Sequence, residues 1–137
     1  MATEDTPDRT RDVARQRLKD AEAAYNSARS EHYVARDIRD SRMGEAHQAG
    51  LSSREISDLV GDIGQPNVVR ARRRAFTRRD VVPDGLLSPV DALRRSEMNP
   101  KEFMTAVRSG RLQPVDLPGG VRAFREEDIE HLRPTAS

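Results

Sequence analysis

The sequence predicts a mainly α-helical protein built as two small helical units, with a short β-hairpin in the second unit. A polar stretch from Pro7 to Gln48 contains one glycine and no further proline, so it favours one long helix. Shorter segments with helical spacing of apolar residues follow, separated by glycine and proline. Aromatic residues are only 4% of the chain, which favours closely packed helices over a large enzyme cavity.

Length and composition predict one compact domain or two small lobes, since the chain has 137 residues, 34% charged residues and a mean hydropathy of −0.81. There are no cysteines, which excludes disulfides and thiolate metal sites and suits a reducing cytosol. The polar N-terminus is unlike a signal peptide, and no apolar run approaches the ~20 residues that span a bilayer. We therefore expect a cytoplasmic, nucleoid-associated protein with no membrane partner. The predicted organisation is a disordered tail at 1–6, a first unit at 7–79, a linker at 80–87, a second unit at 88–133 and a tail at 134–137.

The long N-terminal helix is expected to begin at Thr6 and Pro7, an N-cap and first-turn pair. A break near Asn26 or Ser30 remains an alternative, because these side chains compete with the helical backbone. The first half either pairs with a second copy or folds back on its own chain. The second half is expected to cover the core of the first unit. Small apolar residues at alternating steps of four and three form a narrow seam, as in a coiled coil: Ala14, Leu18, Ala21, Tyr25, Ala28, His32 and Ala35. The residues expected to cover Ile56 and Val68 are Val34, Ala35, Ile38, Ala46 and Ala49.

The central stretch, Gly50 to Arg79, predicts two helices joined by a tight turn. Ser52 or Ser53 is the expected N-cap of the first helix. Glycines at 61 and 64 supply the backbone angles of a sharp turn. Gln65 and Pro66 begin the second helix, since proline suits a first helical position. The residues expected to face the core are Ile56, Leu59 and Val60 from the first helix and Val68, Ala71 and Ala75 from the second.

This stretch resembles the helix-turn-helix of bacterial DNA-binding proteins, with about one extra residue in the turn. The resemblance implies that the second helix lies in the DNA major groove and that its first residues contact base edges. Gln65 and Asn67 would then pair with adenine, and Arg70, Arg73 and Arg74 would follow on the same side. The matching residues are Arg54-Glu55-Ile56, Gly61, Ile63, Gln65-Pro66-Asn67-Val68 and Arg70.

Charge distribution supports the same interpretation. The net charge is only +1, but arginines crowd the second helix with no acid among them: Arg70, Arg72, Arg73, Arg74, Arg78 and Arg79. Arginine binds phosphate and guanine with two parallel hydrogen bonds. The alternative is a solvated charged face on an ordinary helical hairpin.

The second unit is predicted as helix, helix, hairpin and helix. Ser88-Pro89 and Asn99-Pro100 both mark helix starts. Pro118-Gly119-Gly120 lies between strand-like segments at 112–117 and 121–124, which indicates a short hairpin. The acids from Glu126 to Asp128 suit the positive end of a last helix. Residues expected to face inward are Val90, Leu93, Met98, Phe103, Ala106, Val107, Ile129 and Leu132.

This unit resembles the winged helix-turn-helix of phage excisionases and MerR-type DNA-binding domains. The stretch that carries the likeness is Val107-Arg108-Ser109-Gly110-Arg111-Leu112, then the hairpin, then Arg125-Glu126-Glu127-Asp128-Ile129. The resemblance implies a reading helix from Pro100 to Ser109 and a wing that reaches the DNA backbone. Glu102 would accept from cytosine or cap its own helix. The implied groove-facing residues are Lys101, Glu102, Thr105 and Arg108, and the implied phosphate contacts are Arg111 and Arg122.

Taken together, the sequence predicts a sequence-specific double-stranded DNA-binding regulator, a repressor, with two unlike reading heads suited to an asymmetric operator. The arrangement resembles the phage immunity repressors of some actinobacteriophages. The alternatives are an excisionase-like DNA-bending factor and a protein-binding adaptor. We expect no enzymatic activity, catalytic residue, cofactor or metal site. The candidate DNA-binding residues are Arg54, Gln65, Asn67, Arg70, Arg73, Arg74, Arg78, Arg79, Lys101, Thr105, Arg108, Arg111 and Arg122.

Overall fold

The computed structural model describes residues 2–132, with side chains from residue 8 onward, as a mainly helical chain with a small antiparallel sheet of three strands. The predicted tail at 134–137 lies outside the described residues. The elements are α1 Ala2–Gln48, α2 Ser53–Leu59, α3 Gln65–Asp80, β1 Leu86–Leu87, α4 Pro89–Ser96, α5 Pro100–Arg108, β2 Val115–Leu117, a 3₁₀ turn Pro118–Gly120, β3 Val121–Arg125 and α6 Glu126–Leu132.

Helix α1 is continuous over 47 residues, so at ~1.5 Å per residue it is roughly 70 Å long. It begins at Ala2, ahead of the predicted N-cap at Thr6, so the expectation of a disordered tail at 1–6 is wrong for the described residues 2–6. The predicted alternative of a break near Asn26 or Ser30 is not observed. No helix of the described chain is long and apolar enough to cross a membrane.

The second half of α1 contributes to two separate cores. Val34 and Ile38 pack into the core of the C-terminal lobe, and Met43 packs against α2 and α3. Positions 34 and 43 lie about 13 Å apart along the helix axis, so each serves a different level of the molecule. The prediction that Val34 and Ile38 cover Ile56 is therefore wrong. Of the other predicted covering residues, Ala46 packs there, and Ala35 and Ala49 are exposed.

Helices α2 and α3 enclose a compact core with α1. Ile56 and Val68 are 2% and 0% exposed, as the helical spacing predicts. Ala71 and Ala75 are also buried, which confirms the predicted inner face of α3. Leu59 was expected on the same face as Ile56, but its side chain is 75% exposed. Helix α2 ends at Leu59, so this position turns outward as the chain leaves the helix.

The C-terminal lobe packs α4, α5 and α6 around the sheet and the middle of α1. The predicted hairpin is present: β2 pairs with β3 in antiparallel register, with Val115 opposite Ala123 and Leu117 opposite Val121. Phe103 and Phe124 are both fully buried and meet edge to face, with ring centroids 5.4 Å apart. Both predicted helix starts are capped: Ser88 accepts from the Asp91 amide and Asn99 accepts from the Glu102 amide.

The segment predicted as a linker at 80–87 belongs instead to the folded body. Helix α3 extends to Asp80, and β1 adds a third strand to the sheet, with Leu86 opposite Arg125 and Leu87 opposite Phe124. A strand of two residues is too short to show an alternating pattern, and its backbone bonds depend on where β3 lies. The two lobes are thus joined by α1 and by a short connection, rather than by a flexible spacer.

Candidate nucleic-acid interface

A capping box fixes the start of α2. The Ser52 hydroxyl accepts from the Glu55 amide at 3.1 Å, and the Ser52 amide donates to the Glu55 carboxylate at 3.3 Å. Both bonds satisfy amides that the helix itself leaves unpaired. Arg54 lies in the same first turn and its side chain is exposed. This cap fixes the residue at which α2 begins, just before the turn that leads to α3.

Ser57, which the sequence did not single out, holds the turn between α2 and α3. Its hydroxyl accepts from the Gly64 amide at 2.8 Å, and its carbonyl accepts from the Asp62 amide at 2.8 Å. Gly61 and Gly64 have φ of +94° and +93°, a region that side chains with a Cβ rarely adopt. The turn is consequently pinned by a buried hydroxyl and by two glycines.

The outer face of α3 carries free positive charge. Pro66, Arg70, Arg73 and Thr77 recur at helical spacing on the side opposite the buried Val68, and all four are exposed. Among the described side chains, no carboxylate lies within 4.0 Å of the guanidinium of Arg70 or Arg73. An exposed guanidinium without an acidic neighbour keeps its full charge available to an anionic partner.

Gln65 and Asn67 both lie exposed in the first turn of α3. The side-chain nitrogen of Asn67, Nδ2, donates to the Ile63 carbonyl at 2.6 Å, and the side-chain oxygen of Asn67 accepts from Arg70 at 3.1 Å. In this structure Asn67 therefore closes the turn and orients Arg70. To pair with adenine as predicted, the Asn67 side chain would have to break its bonds to Ile63 and Arg70 and form two with the base.

Arg74 and Arg78 were predicted as DNA contacts, but they bind carboxylates of α1. Arg74 reaches Asp40 with two bonds of 3.2 and 3.3 Å, and Arg78 reaches Asp37 at 3.3 Å and Asp40 at 3.1 Å. The Asp40 side chain is 0% exposed and that of Arg78 only 13%. Arg78 is thus largely buried in the α1–α3 contact, which favours a structural role over its predicted DNA contact. Arg74 bonds the same buried acid, but its side chain is 39% exposed, so its DNA contact stays a prediction.

The cluster around these pairs is electrostatically crowded. Burial raises the pKa of Asp37 above its ordinary value of 3.8, against the opposing effect of Arg78. Burial also lowers the pKa of Arg36, with further lowering from Arg78 and Arg74. The Nε of Arg36 is the one buried side-chain polar atom without a hydrogen-bond partner among the described residues. The guanidinium of Arg36 stacks on the Tyr33 ring, 4.9 Å from its centroid.

Arg72 and Arg79 lie on the side of α3 that borders a groove beside α1 and α4. Arg79 is 61% exposed and contacts Asp91 of α4 at 3.2 Å, so its charge is partly neutralised. Arg72 lines a groove of about 560 Å³ between α1, α3 and α4. Phe76 lines the same groove and is 72% exposed. Arg73 also lines this groove, whereas Arg70 does not.

The predicted site residues of the C-terminal lobe separate into exposed and bonded groups. Lys101, Thr105 and Arg111 are exposed, and the Thr105 hydroxyl donates to the Lys101 carbonyl at 2.9 Å. Arg108 binds Glu31 of α1 at 2.8 Å, although its side chain is still 64% exposed. Lys101 and Thr105 are thus exposed on α5, and α1 borders that face at Arg108. Their contact with a DNA groove stays a prediction.

Arg122 was predicted to contact phosphate from the wing, and the structure corrects this. Its side chain is 5% exposed and its Nε binds Asp116 at 2.9 Å and the Ser30 hydroxyl at 3.1 Å. Its guanidinium also lies 5.0 Å from the centroid of the Tyr33 ring. Arg122 joins the hairpin to α1, and nothing in the isolated position of one arginine in a strand indicates this.

Glu102 lies at the capped start of α5 and bonds the capping residue Asn99 twice. Its carboxylate accepts from the Asn99 side chain at 2.9 Å while its amide donates to Asn99 at 2.8 Å. Of the three acids that open α6, Glu126 lies 3.5 Å from Arg95. Within the described part of the chain, no group of three or more His, Asp and Glu residues is placed to hold a metal ion.

Comparison of the chain with protein-family models, with curated proteins and with solved structures finds no match. The functional interpretation therefore depends on the geometry and charge of the described residues.

Proposed function

We propose that this protein is a sequence-specific double-stranded DNA-binding regulator in which α2 and α3 act as a helix-turn-helix. The outer face of α3 enters the major groove, and the first turn of α3 is nearest the base edges. The single observation that carries the proposal is the unpaired, exposed positive face formed by Arg70 and Arg73. The opposite face of the same helix is packed against α1 and α2.

The division of arginines on α3 supports this proposal. Arg74 and Arg78 bind buried acids and hold the helix in place, while Arg70 and Arg73 remain available. A reading helix that is fixed before binding loses less conformational entropy when it binds. Asn67 additionally orients Arg70 through its side-chain oxygen.

The C-terminal lobe supplies the second DNA contact in this proposal, as a winged helix-turn-helix. Lys101 and Arg111 are its exposed cations near α5, and the hairpin lies beside them in the chain. Because α1 belongs to the cores of both lobes, the two heads are held in a defined relation. Two unlike heads on one chain suit an operator without twofold symmetry.

Such a protein represses by occupancy. A chain that covers a promoter, or that lies in the path of an elongating polymerase, blocks transcription without a chemical step. This role requires a high ratio of specific to non-specific affinity, which base contacts from the first turn of α3 would provide.

The proposal is tested by selecting binding sites from random duplexes, followed by footprinting and anisotropy titration. We expect Arg70→Ala with Arg73→Ala to weaken binding by about 30-fold or more and to reduce the salt dependence, since each lost contact is worth roughly 1–3 kcal/mol. The matched control is Arg9→Ala with Arg11→Ala, which removes the same charge from the exposed part of α1. Failure to enrich any sequence, or equal losses in the two double variants, would overturn the proposal.

The role of the second head is tested separately with Lys101→Ala. If the C-terminal lobe reads DNA, this variant should bind more weakly and leave a shorter footprint. An unchanged affinity and footprint would restrict DNA contact to α2 and α3.

A further inference from the structure

The first part of α1 extends away from both lobes. Every side chain from residue 8 to residue 29, which we call the arm, is exposed. Leu18 and Tyr25 are 69% and 59% exposed, and Val13 between the start of the arm and Leu18 is 43% exposed. The arm is roughly 33 Å long at ~1.5 Å per residue. A lone helix of this length is marginally stable in water, so a partner along its apolar seam would stabilise it.

The seam of the arm alternates large and small residues. Leu18 and Tyr25 lie seven positions apart, and Ala14, Ala21 and Ala28 lie between and around them at the complementary heptad positions. Alanine lets two helix backbones approach closely, and a large side chain opposite an alanine fills the space that the alanine leaves. The arm therefore carries both halves of a complementary surface.

This alternation selects an antiparallel partner. In a parallel pair of identical helices, each leucine faces a leucine and each alanine faces an alanine, which makes wide layers alternate with voids. In an antiparallel pair, the two kinds of heptad position face each other. Leu18 then lies opposite Ala21 of the second copy, and Tyr25 lies opposite Ala14.

Charge and space select the register. In the alignment just given, Arg15 flanks Glu22 of the second copy, and the same pair recurs by symmetry. If one helix is shifted by seven residues so that the two helices overlap further, Glu22 of one copy lies beside Glu22 of the other. If the helix is shifted by seven residues in the other direction, Tyr25 of one copy no longer lies opposite Ala14 of the other.

In the favoured alignment, Asp8 and Arg9 of one copy lie level with Glu31 and Ser30 of the other. Ser30 bonds the C-terminal lobe through Arg122 at 3.1 Å. Helix α1 continues from Asp8 back to Ala2, so its first residues run beside the start of the other copy's C-terminal lobe.

We propose that the arm is an antiparallel coiled-coil interface between two copies of this chain, with Leu18 and Tyr25 packed on alanines of the second copy. The pairing places the two bodies at opposite ends of the paired arms, with α3 of each copy remote from the interface. It does not depend on whether the protein binds DNA.

Sedimentation velocity and light scattering from low micromolar to near-millimolar chain concentration test the interface. We expect a concentration-dependent dimer that Leu18→Glu weakens at least tenfold. The matched control is Gln16→Glu, which adds the same side chain on the outer side of the same helix and should dimerise like the unaltered chain. Circular dichroism of each variant confirms that the helices are intact. A monomer throughout the concentration series, or a dimer that Leu18→Glu does not weaken, would overturn the proposal.

A charge exchange tests the direction of pairing. Arg15→Glu places like charges together twice, and we expect it to weaken the dimer several-fold. Adding Glu22→Arg to that variant restores opposite charges in the antiparallel register and should restore the dimer. In a parallel pair, Glu22 would instead face Arg17, so the double variant would be weaker than Arg15→Glu alone. That result, or the absence of any recovery, would contradict the antiparallel arrangement.

Discussion

Arginines on α3 have different environments at the scale of single residues, despite being neighbours in sequence. Arg70 and Arg73 face solvent without a carboxylate among the described side chains within 4.0 Å. Arg74 and Arg78 bind acids of α1 that are nearly or fully buried. An arginine that neutralises a buried acid cannot be withdrawn without leaving that charge unpaired, so the two groups should respond differently to substitution.

We expect Arg78→Ala to lower the free energy of unfolding by about 3 kcal/mol, because it leaves Asp37 and Asp40 buried with one cation fewer. Arg73→Ala, on the exposed face of the same helix, should change it by less than about 0.5 kcal/mol. Urea denaturation followed by circular dichroism measures both. Equal losses in the two variants would refute the division of α3 into a packed and a free face.

Asp37 should make a contribution to stability that increases as the pH falls below neutral. Its pKa in the folded protein is raised above 3.8, chiefly by burial, so the folded state binds the proton more readily than the unfolded state does. The contribution of Asp37 to stability therefore rises as pH falls from neutral towards that ordinary value. Asp37→Asn removes this titration.

Urea denaturation at neutral pH and near pH 5 gives the comparison for Asp37. The stability of the unaltered chain relative to Asp37→Asn should increase at the lower pH. A constant difference, or one that falls on acidification, would show that Arg78 rather than burial dominates the pKa of this carboxyl.

At the scale of elements, the turn between α2 and α3 determines how the arginine-bearing face is presented. Gly64 is the N-cap of α3 at φ +93°, and its amide donates to Ser57. No side chain caps the first turn of α3 at this position. The angle between the two helices thus depends on the backbone conformation of a few residues and on one buried hydroxyl.

Gly64→Ala should destabilise the protein by about 1–3 kcal/mol, because alanine rarely adopts the backbone angles of Gly64, φ +93° and ψ +144°. Gly44→Ala is the matched control: Gly44 lies inside α1, and an added Cβ meets nothing within 4 Å. That substitution should stabilise the chain by about 0.5–1 kcal/mol. Thermal unfolding distinguishes the two, and a neutral Gly64→Ala would contradict the assigned turn geometry.

At the scale of the whole molecule, α1 connects the two lobes. It supplies Val34 and Ile38 to one core and Met43 to the other, and Arg122 and Arg108 of the C-terminal lobe bind it as well. No long flexible linker separates the lobes, since β1 joins the sheet soon after α3 ends. Loss of packing in either core should therefore also destabilise the other core.

Met43→Ala tests this coupling. Removing a buried methionine should cost about 2–5 kcal/mol, and Met43 is 3% exposed. Amide hydrogen exchange should then show protection lost from β3 in the C-terminal lobe as well as from α3. Loss confined to α2 and α3 would show that the lobes unfold independently.

The sequence by itself determined the helices, their caps and the inner face of α3. Ser52, Ser88 and Asn99 cap as predicted, and Val68, Ala71 and Ala75 are buried as predicted, because capping and helical periodicity are local properties. The hairpin around Pro118-Gly119-Gly120 was predictable for the same reason. The exposed Arg70 and Arg73 were also among the predicted residues.

Only the tertiary structure decided which charges are free. Asp37 and Asp40 are three residues apart on α1, and Arg74 and Arg78 are four apart on α3, so each pair alone has the spacing of an ordinary solvated helix face. Packing of α1 on α3 brings the four side chains together, which buries most of Arg78 and leaves Arg74 partly exposed. Arg122 and β1 likewise depend on partners distant in sequence. Long-range pairing leaves no periodic signal along the chain, which is why the division of the α3 arginines into bonded and free ones became evident only from the folded arrangement.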